Sequence, residues 1–264
     1  MRPARLLAVA AMAAAAVLST VLPAAAAPAA VNYVALGDSY SSGLGTGSYI
    51  SSSGSCKRSN YSYPALWAAA HSVGSFTFVA CSGARTGDVL SGQVGSLAAS
   101  TTLVSISIGG NDAGFTDVIT TCTFGSDQDC VNRTNTAKAY AQNTLPGLLD
   151  NVYAQIRGRA PSAKVVVLGY PRIYKVPGSC SVGLSDTKRA AINSASDVLA
   201  TVISGRAGAK AFAYQDVRTA FTGHEICSGD WWLNSLSFPV DESYHPNKNG
   251  QKLGYLPAFT AAAG

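Results

Sequence analysis

Three groups spread along this chain have the chemistry to open an ester. Ser39 stands in Gly37-Asp38-Ser39, directly after the apolar run from Tyr33 to Leu36. A serine just past the end of a first strand lies where open α/β sheets place their ligands. Small residues follow it (Ser41, Ser42, Gly43, Gly45), so the backbone can turn sharply and leave the hydroxyl accessible. A serine hydroxyl is a weak nucleophile without a base, and the chain holds only three histidines. His71 ends a helical stretch and reads as a surface residue, and His224 sits in a loop. His245, in Asp241-Glu242-Ser243-Tyr244-His245-Pro246, precedes the last helical stretch, and Pro246 suits that helix's first turn. Acidic residues stand three and four positions before it. Gly83 and Asn111 complete the set: a glycine N–H and a side-chain amide are donors for the negative oxygen of a tetrahedral intermediate.

Bringing these residues together requires a particular scaffold. Five strand-like segments, 32–36, 75–80, 102–108, 163–168 and 210–214, alternate with helical stretches at 63–73, 88–98, 135–158, 186–204 and 247–262. Glycines weaken the second helical stretch, Pro146 kinks or splits the third, and Pro257 interrupts the last. Alternating strands and helices imply parallel strands with crossover helices. The expected fold class is therefore α/β: a three-layer α/β/α sandwich with a parallel five-stranded sheet. The first three strands end in Gly-Asp-Ser39, Ser-Gly83 and Gly-Gly-Asn111, and a parallel sheet puts all three ends on one edge. Asp38 has the side chain of a residue that stabilises its own turn. Residues 219–246, loop-rich and aromatic, read as an insertion that delivers a group to the site.

The four blocks Gly37-Asp38-Ser39, Gly83, Gly110-Asn111-Asp112 and near-terminal His245 resemble those of the SGNH (GDSL) hydrolases, in the right order and over most of the chain. The resemblance implies a flavodoxin-like sheet, Ser39 as nucleophile, and His245 as general base and then acid. It also implies an oxyanion hole made by the N–H groups of Ser39 and Gly83 and the Asn111 amide. The chain departs from the family in two places. Tyr40 stands where the first block usually has leucine. Glu242 stands where an aspartate usually orients the histidine, which leaves Glu242, Asp241 or a main-chain oxygen such as that of Ser243 as candidates for the third partner. Ser41 stands where a G-x-S-x-G elbow would need its second glycine.

Composition bounds the setting. With 264 residues, 47% hydrophobic and 12% charged, the chain fits one globular domain with a sizeable core. The net charge of +5 is spread without runs of one sign, so nucleic acid is not expected as a partner. Residues 1–27 read as a secretory signal: Arg2 and Arg5, an apolar core from Leu6 to Leu22, and small residues at Ala24–Ala27, with cleavage within 24–30. Residues 28–264 are then a single hydrolase domain, expected as a secreted, extracellular monomer. The six cysteines, Cys56, Cys81, Cys122, Cys130, Cys180 and Cys227, lack zinc-ligand spacing and imply disulfides. Many connectivities are open; pairing of sequence neighbours is expected, Cys56–Cys81, Cys122–Cys130 and Cys180–Cys227. The cysteines and leader are similar to those of compact secreted bacterial lipases, esterases and phospholipases. No metal or cofactor is expected, because Ser/His catalysis is self-contained.

For the substrate, Trp231, Trp232, Leu233, Leu236, Phe238 and Val240 suit an acyl chain or a lipid surface where exposed, and packing onto the core is expected for at least half of them. The expected function is hydrolysis of lipid carboxylic esters, as a triacylglycerol lipase or carboxylesterase. Phospholipase A1 activity is the alternative, with Lys57-Arg58 and Arg85 as candidates for phosphate contact. A sugar deacetylase or a non-catalytic lipid- or glycan-binding module ranks below both.

Overall fold

Hydrophobic periodicity and parallel pairing account for the sheet. A computed structural model of the chain describes residues 30–178, 180 and 184–264; the leader expected at 1–27 lies outside them. The strands are β1 (Val31–Ala35), β2 (Val73–Phe78), β3 (Leu103–Ile106), β4 (Lys164–Leu168) and β5 (Ala213–Gln215), all parallel in the order β2-β1-β3-β4-β5. β3 is buried along its whole length, as a central parallel strand covered on both faces must be. The chain moves from β1 to β2 on one side and later to β3 on the other. The β1/β3 crevice is thus a topological switch point, where such sheets bind ligands.

Among the described residues, eight α-helical segments accompany the strands: α1 (Ser39–Ser42), α2 (Tyr63–Ala70), α3 (Thr86–Asp88), α4 (Phe115–Phe124), α5 (Asp127–Asn143), α6 (Leu145–Arg159), α7 (Asp186–Ala209) and α8 (Leu256–Ala263). α2 and α8 pack together, while α5, α6 and α7 pack against one another. Tyr33 of β1 stacks on Phe76 and Phe259 and meets Trp67 edge-on, which joins the sheet to the α2/α8 layer. Aromatic pairs of this kind add roughly 1 kcal/mol each beyond their buried area.

Three helical readings need correction. The stretch 88–98 is not one helix: short α3 is followed by a π turn at Val89–Gln93 and a 3-10 turn at Val94–Ser96. The stretch 135–158 is split as expected, into two helices broken at Thr144, because Pro146 lacks the N–H needed to continue α5 and instead occupies the first turn of α6. α5 starts earlier than expected, at a capping box in which Ser126 and Asp129 satisfy each other's N–H groups. α4, absent from the sequence reading, is rich in β-branched residues with weak helix propensity. The Cys122–Cys130 disulfide ties it to α5; Cys56 bonds Cys81 and Cys180 bonds Cys227.

Candidate active site

The turn after β1 leaves little freedom to Ser39. Gly37 has φ of +121°, and a Cβ there would meet the Ser107 carbonyl oxygen at 2.5 Å, so no other residue fits. Gln93 brackets the same residue: its amide accepts from the Gly37 N–H at 2.7 Å and donates to the Gly37 carbonyl at 2.9 Å. Asp38 caps α1, accepting from the Tyr40 N–H at 3.0 Å. Ser39 is then the first residue of the helix, and its hydroxyl is buried beneath the mouth of a cleft.

Residues 219–246 bring His245 to it. This region is almost free of regular structure, with one 3-10 turn at Val240–Glu242. Tyr244 follows in the left-handed region at φ +63°, its carbonyl held by the Tyr40 hydroxyl at 2.7 Å. The chain reversal there points the Ser243 carbonyl at the imidazole. His245 Nδ1 donates to that carbonyl at 2.8 Å, and a carbonyl can only accept, so the hydrogen resides on Nδ1. Nε2 is left with its lone pair and accepts from Ser39 Oγ at 2.8 Å. Burial pushes the imidazole down to about 4, against weaker upward pulls from the Ser243 carbonyl and the Asp241 charge. The ring is therefore neutral and able to accept a proton at neutral pH.

Glu242, one of the three candidates for orienting the ring, does something else. Its carboxylate accepts from the Tyr49 hydroxyl at 2.6 Å, and the orienting contact at Nδ1 is the Ser243 carbonyl. Asp241 lines the cleft but makes no contact with Nδ1 among the described residues. Glu242 and Asn234 clasp the loop around Gly45 to the His245 loop, with Asn234 donating to the carbonyls of Gly45 at 2.8 Å and Glu242 at 3.2 Å. The approach is close: a Cβ on Gly45, at φ +98°, would lie 2.8 Å from His245 Cβ.

Gly83 and Asn111 line the same cleft as Ser39 and His245. Neither the Ser39 nor the Gly83 N–H donates to a protein acceptor among the described residues. The Asn111 amide gives one hydrogen to the Ala84 carbonyl at 3.0 Å, which orients it and leaves the other. Asp112 accepts from both the N–H and the hydroxyl of Thr86, so the loops after β2 and β3 are sewn together.

Tyr170, just after β4, is a site residue that the sequence reading did not single out. Its hydroxyl donates to Asp38 at 2.5 Å and accepts from the Gly110 N–H at 3.1 Å, joining the nucleophile turn to the Asn111 loop. The signal that could have found it is its place on the same sheet edge. Asp38 also accepts from Ser107 Oγ at 2.8 Å. Burial raises its carboxyl to about 6 despite these donors.

The cleft has a volume of about 620 Å³ and apolar walls of Leu44, Phe115, Ile119, Phe124, Leu236 and Val240. Phe124 is 82% exposed and Phe238, between Leu236 and Val240, is 95% exposed, while Trp232 and Leu233 are core residues. The other histidines are engaged in packing: His71 stacks on Trp67 and His224 on Trp232. Among the described residues no cluster of His, Cys, Asp or Glu is arranged to hold a metal ion.

A hydroxyl bonded to a neutral imidazole, with unspent N–H donors beside an apolar cleft, can perform acyl transfer. Known proteins resemble the chain in sequence and in fold. A family model described as GDSL-like lipase/acylhydrolase matches residues 35–253. The chain is 62% identical to Lipase 1 of Streptomyces coelicolor over 241 residues, 90% of each protein. Its fold matches the crystal structure of phospholipase A1 from Streptomyces albidoflavus NA297 with a TM-score of 0.87 and 60% identity, over 89% of this chain and 100% of that one. The extracellular lipase of Streptomyces rimosus gives the same TM-score and identity over 88% of this chain and 100% of that one. Site, sheet and sequence agree, and the chain belongs to the GDSL-like lipase/acylhydrolase family, as a carboxylic ester hydrolase.

Proposed function

We propose that the protein is a secreted serine hydrolase of lipid carboxylic esters, working through an acyl-enzyme on Ser39. The observation that carries this reading is the 2.8 Å contact between Ser39 Oγ and the unprotonated Nε2 of His245. His245 takes the hydroxyl proton as Oγ attacks the ester carbonyl. The tetrahedral oxyanion accepts hydrogen bonds from the N–H groups of Ser39 and Gly83 and from the Asn111 amide. Collapse breaks the ester C–O bond, and His245 returns the proton to the departing alcohol. Water then repeats the sequence on the acyl-enzyme, with the same ring as base. The Ser243 carbonyl holds the ring in the working tautomer, the part an acid plays in a triad.

The apolar walls support a fatty acyl chain as the acyl group, and the exposed Phe124 and Phe238 at the rim support transient contact with a lipid surface. The leader at 1–27 and the three disulfides support export, and we read the mature domain, 28–264, as a monomer. Hydrolysis of triacylglycerols and simple carboxylic esters is the primary reading. Phospholipase A1 activity from the same site is the second, favoured by the likeness to the Streptomyces albidoflavus enzyme.

A panel of triacylglycerol, phospholipid and short nitrophenyl esters tests the assignment. Ser39→Ala and His245→Ala are each expected to lower turnover on all of them by at least about a thousandfold with the fold intact. Near-normal hydrolysis by Ser39→Ala would refute the mechanism.

A further inference from the structure

The segment Ser82–Gly83 divides two clefts. One is the apolar cleft above Ser39. The other, of about 560 Å³, shares Ser82 and Gly83 with it and is bounded by the Cys56–Cys81 pair, Arg58, Asp88 and Gln93. A Cβ built on Gly83 meets nothing within 4 Å, so the divide is open at this residue. The second cleft carries Arg58 and Asp88 in its lining, whereas the walls of the first are mostly apolar.

Arg58 is the cation in it. The side chain is half-buried and makes one hydrogen bond, from Nη1 to the Ala80 carbonyl at 3.4 Å. No ion pair engages it among the described residues. Its backbone is fixed: its N–H donates to Ser53 Oγ at 3.1 Å, and the Cys56–Cys81 disulfide and the Ser82 N–H to Cys56 carbonyl bond, 3.0 Å, brace the wall beside it. Asp88 stands apart from it, its carboxylate accepting from the Arg85 N–H at 2.8 Å. A guanidinium on a braced wall, with most of its N–H donors unspent, is matched to a phosphate group. A carboxylate elsewhere in the same cleft suits the cationic end of a zwitterionic headgroup.

We propose that this second cleft binds the phosphate of a glycerophospholipid whose acyl ester is held at Ser39, with Arg58 on the phosphate and Asp88 toward the headgroup amine. The inference rests on the ester-hydrolase reading above and adds the leaving-group side of the substrate. Gly83 lines both clefts, so an ester held at Ser39 with its acyl chain in the apolar cleft would present its glycerol side to the second.

The test compares phosphatidylcholine with triacylglycerol of the same acyl length, both in mixed detergent micelles. Arg58→Gln should lower the ratio of phospholipid to triacylglycerol kcat/KM by roughly tenfold or more, mainly through KM. Arg58→Lys, which keeps the charge and loses the fork, should recover part of that ratio. An unchanged ratio in Arg58→Gln would overturn the proposal. So would a parallel loss on both substrates, which marks a structural role, or triacylglycerol hydrolysis by the native protein with none of phosphatidylcholine. Failure of the native protein to cleave any ester would instead remove the Ser39 reading beneath it.

Discussion

His245 is held by a main-chain carbonyl, and this changes what its acidic neighbours contribute. Glu242 is spent on the Tyr49 hydroxyl and does not reach the ring. Glu242→Gln should therefore lower kcat by less than about tenfold, whereas loss of a true triad acid costs on the order of ten-thousandfold. Steady-state kinetics on a soluble ester decide between the two. The burial that holds the ring neutral also sets the pH response. An ordinary imidazole gains its proton near 6.5, but His245 does so at about 4. The acid limb of kcat/KM should accordingly fall below pH 5 rather than near 6.5, as a pH–rate profile will read directly. For stability, the unfolded chain binds this proton first, so the His245 contribution is full above pH 6.5 and is lost as pH falls toward 4. Asp38 acts in the opposite sense: its raised carboxyl favours the fold below pH 3.8, and that contribution is lost as pH rises through about 6.

Strand ends, held by the loops that follow them, do the positioning at the next scale. The Cys56–Cys81 disulfide closes a separation of 25 residues beneath the Ser82–Gly83 segment. Replacing both cysteines with serine should lower unfolding stability by about 3 kcal/mol, as a shift in the guanidinium midpoint. The five strands were legible because each is a short apolar run ended by small or polar residues. α4 was not, because its threonines and valine disfavour a helix and only its packing and the tie to α5 sustain it. The convergence of Ser39, Gly83 and Asn111 was legible for a topological reason, since parallel strands share a carboxyl edge. The Ser243 carbonyl was only one of three candidates left open, and the sequence could not choose it. Every residue has a carbonyl, and its aim depends on a left-handed φ at Tyr244, which carries no sequence signature.

Across the whole molecule, the elements over the sheet's switch point are proposed to sort the substrate by polarity. α4 and the Leu236–Val240 loop supply hydrocarbon on one side of Gly83, and the disulfide-braced Arg58 wall supplies charge on the other. The insertion at 219–246 provides both His245 and one lip of the apolar cleft, so the proposed base and the proposed lipid contact lie in the same loop. All of this presumes that Ser39 is the atom donor to the acyl bond. A phosphonate ester that reacts only with activated serines measures that most directly, by the mass of the intact protein and of its peptides. One adduct on the peptide carrying Ser39 is expected, absent in Ser39→Ala and greatly slowed in His245→Ala. A fully active protein that takes no label, or carries it on another residue, would contradict the account.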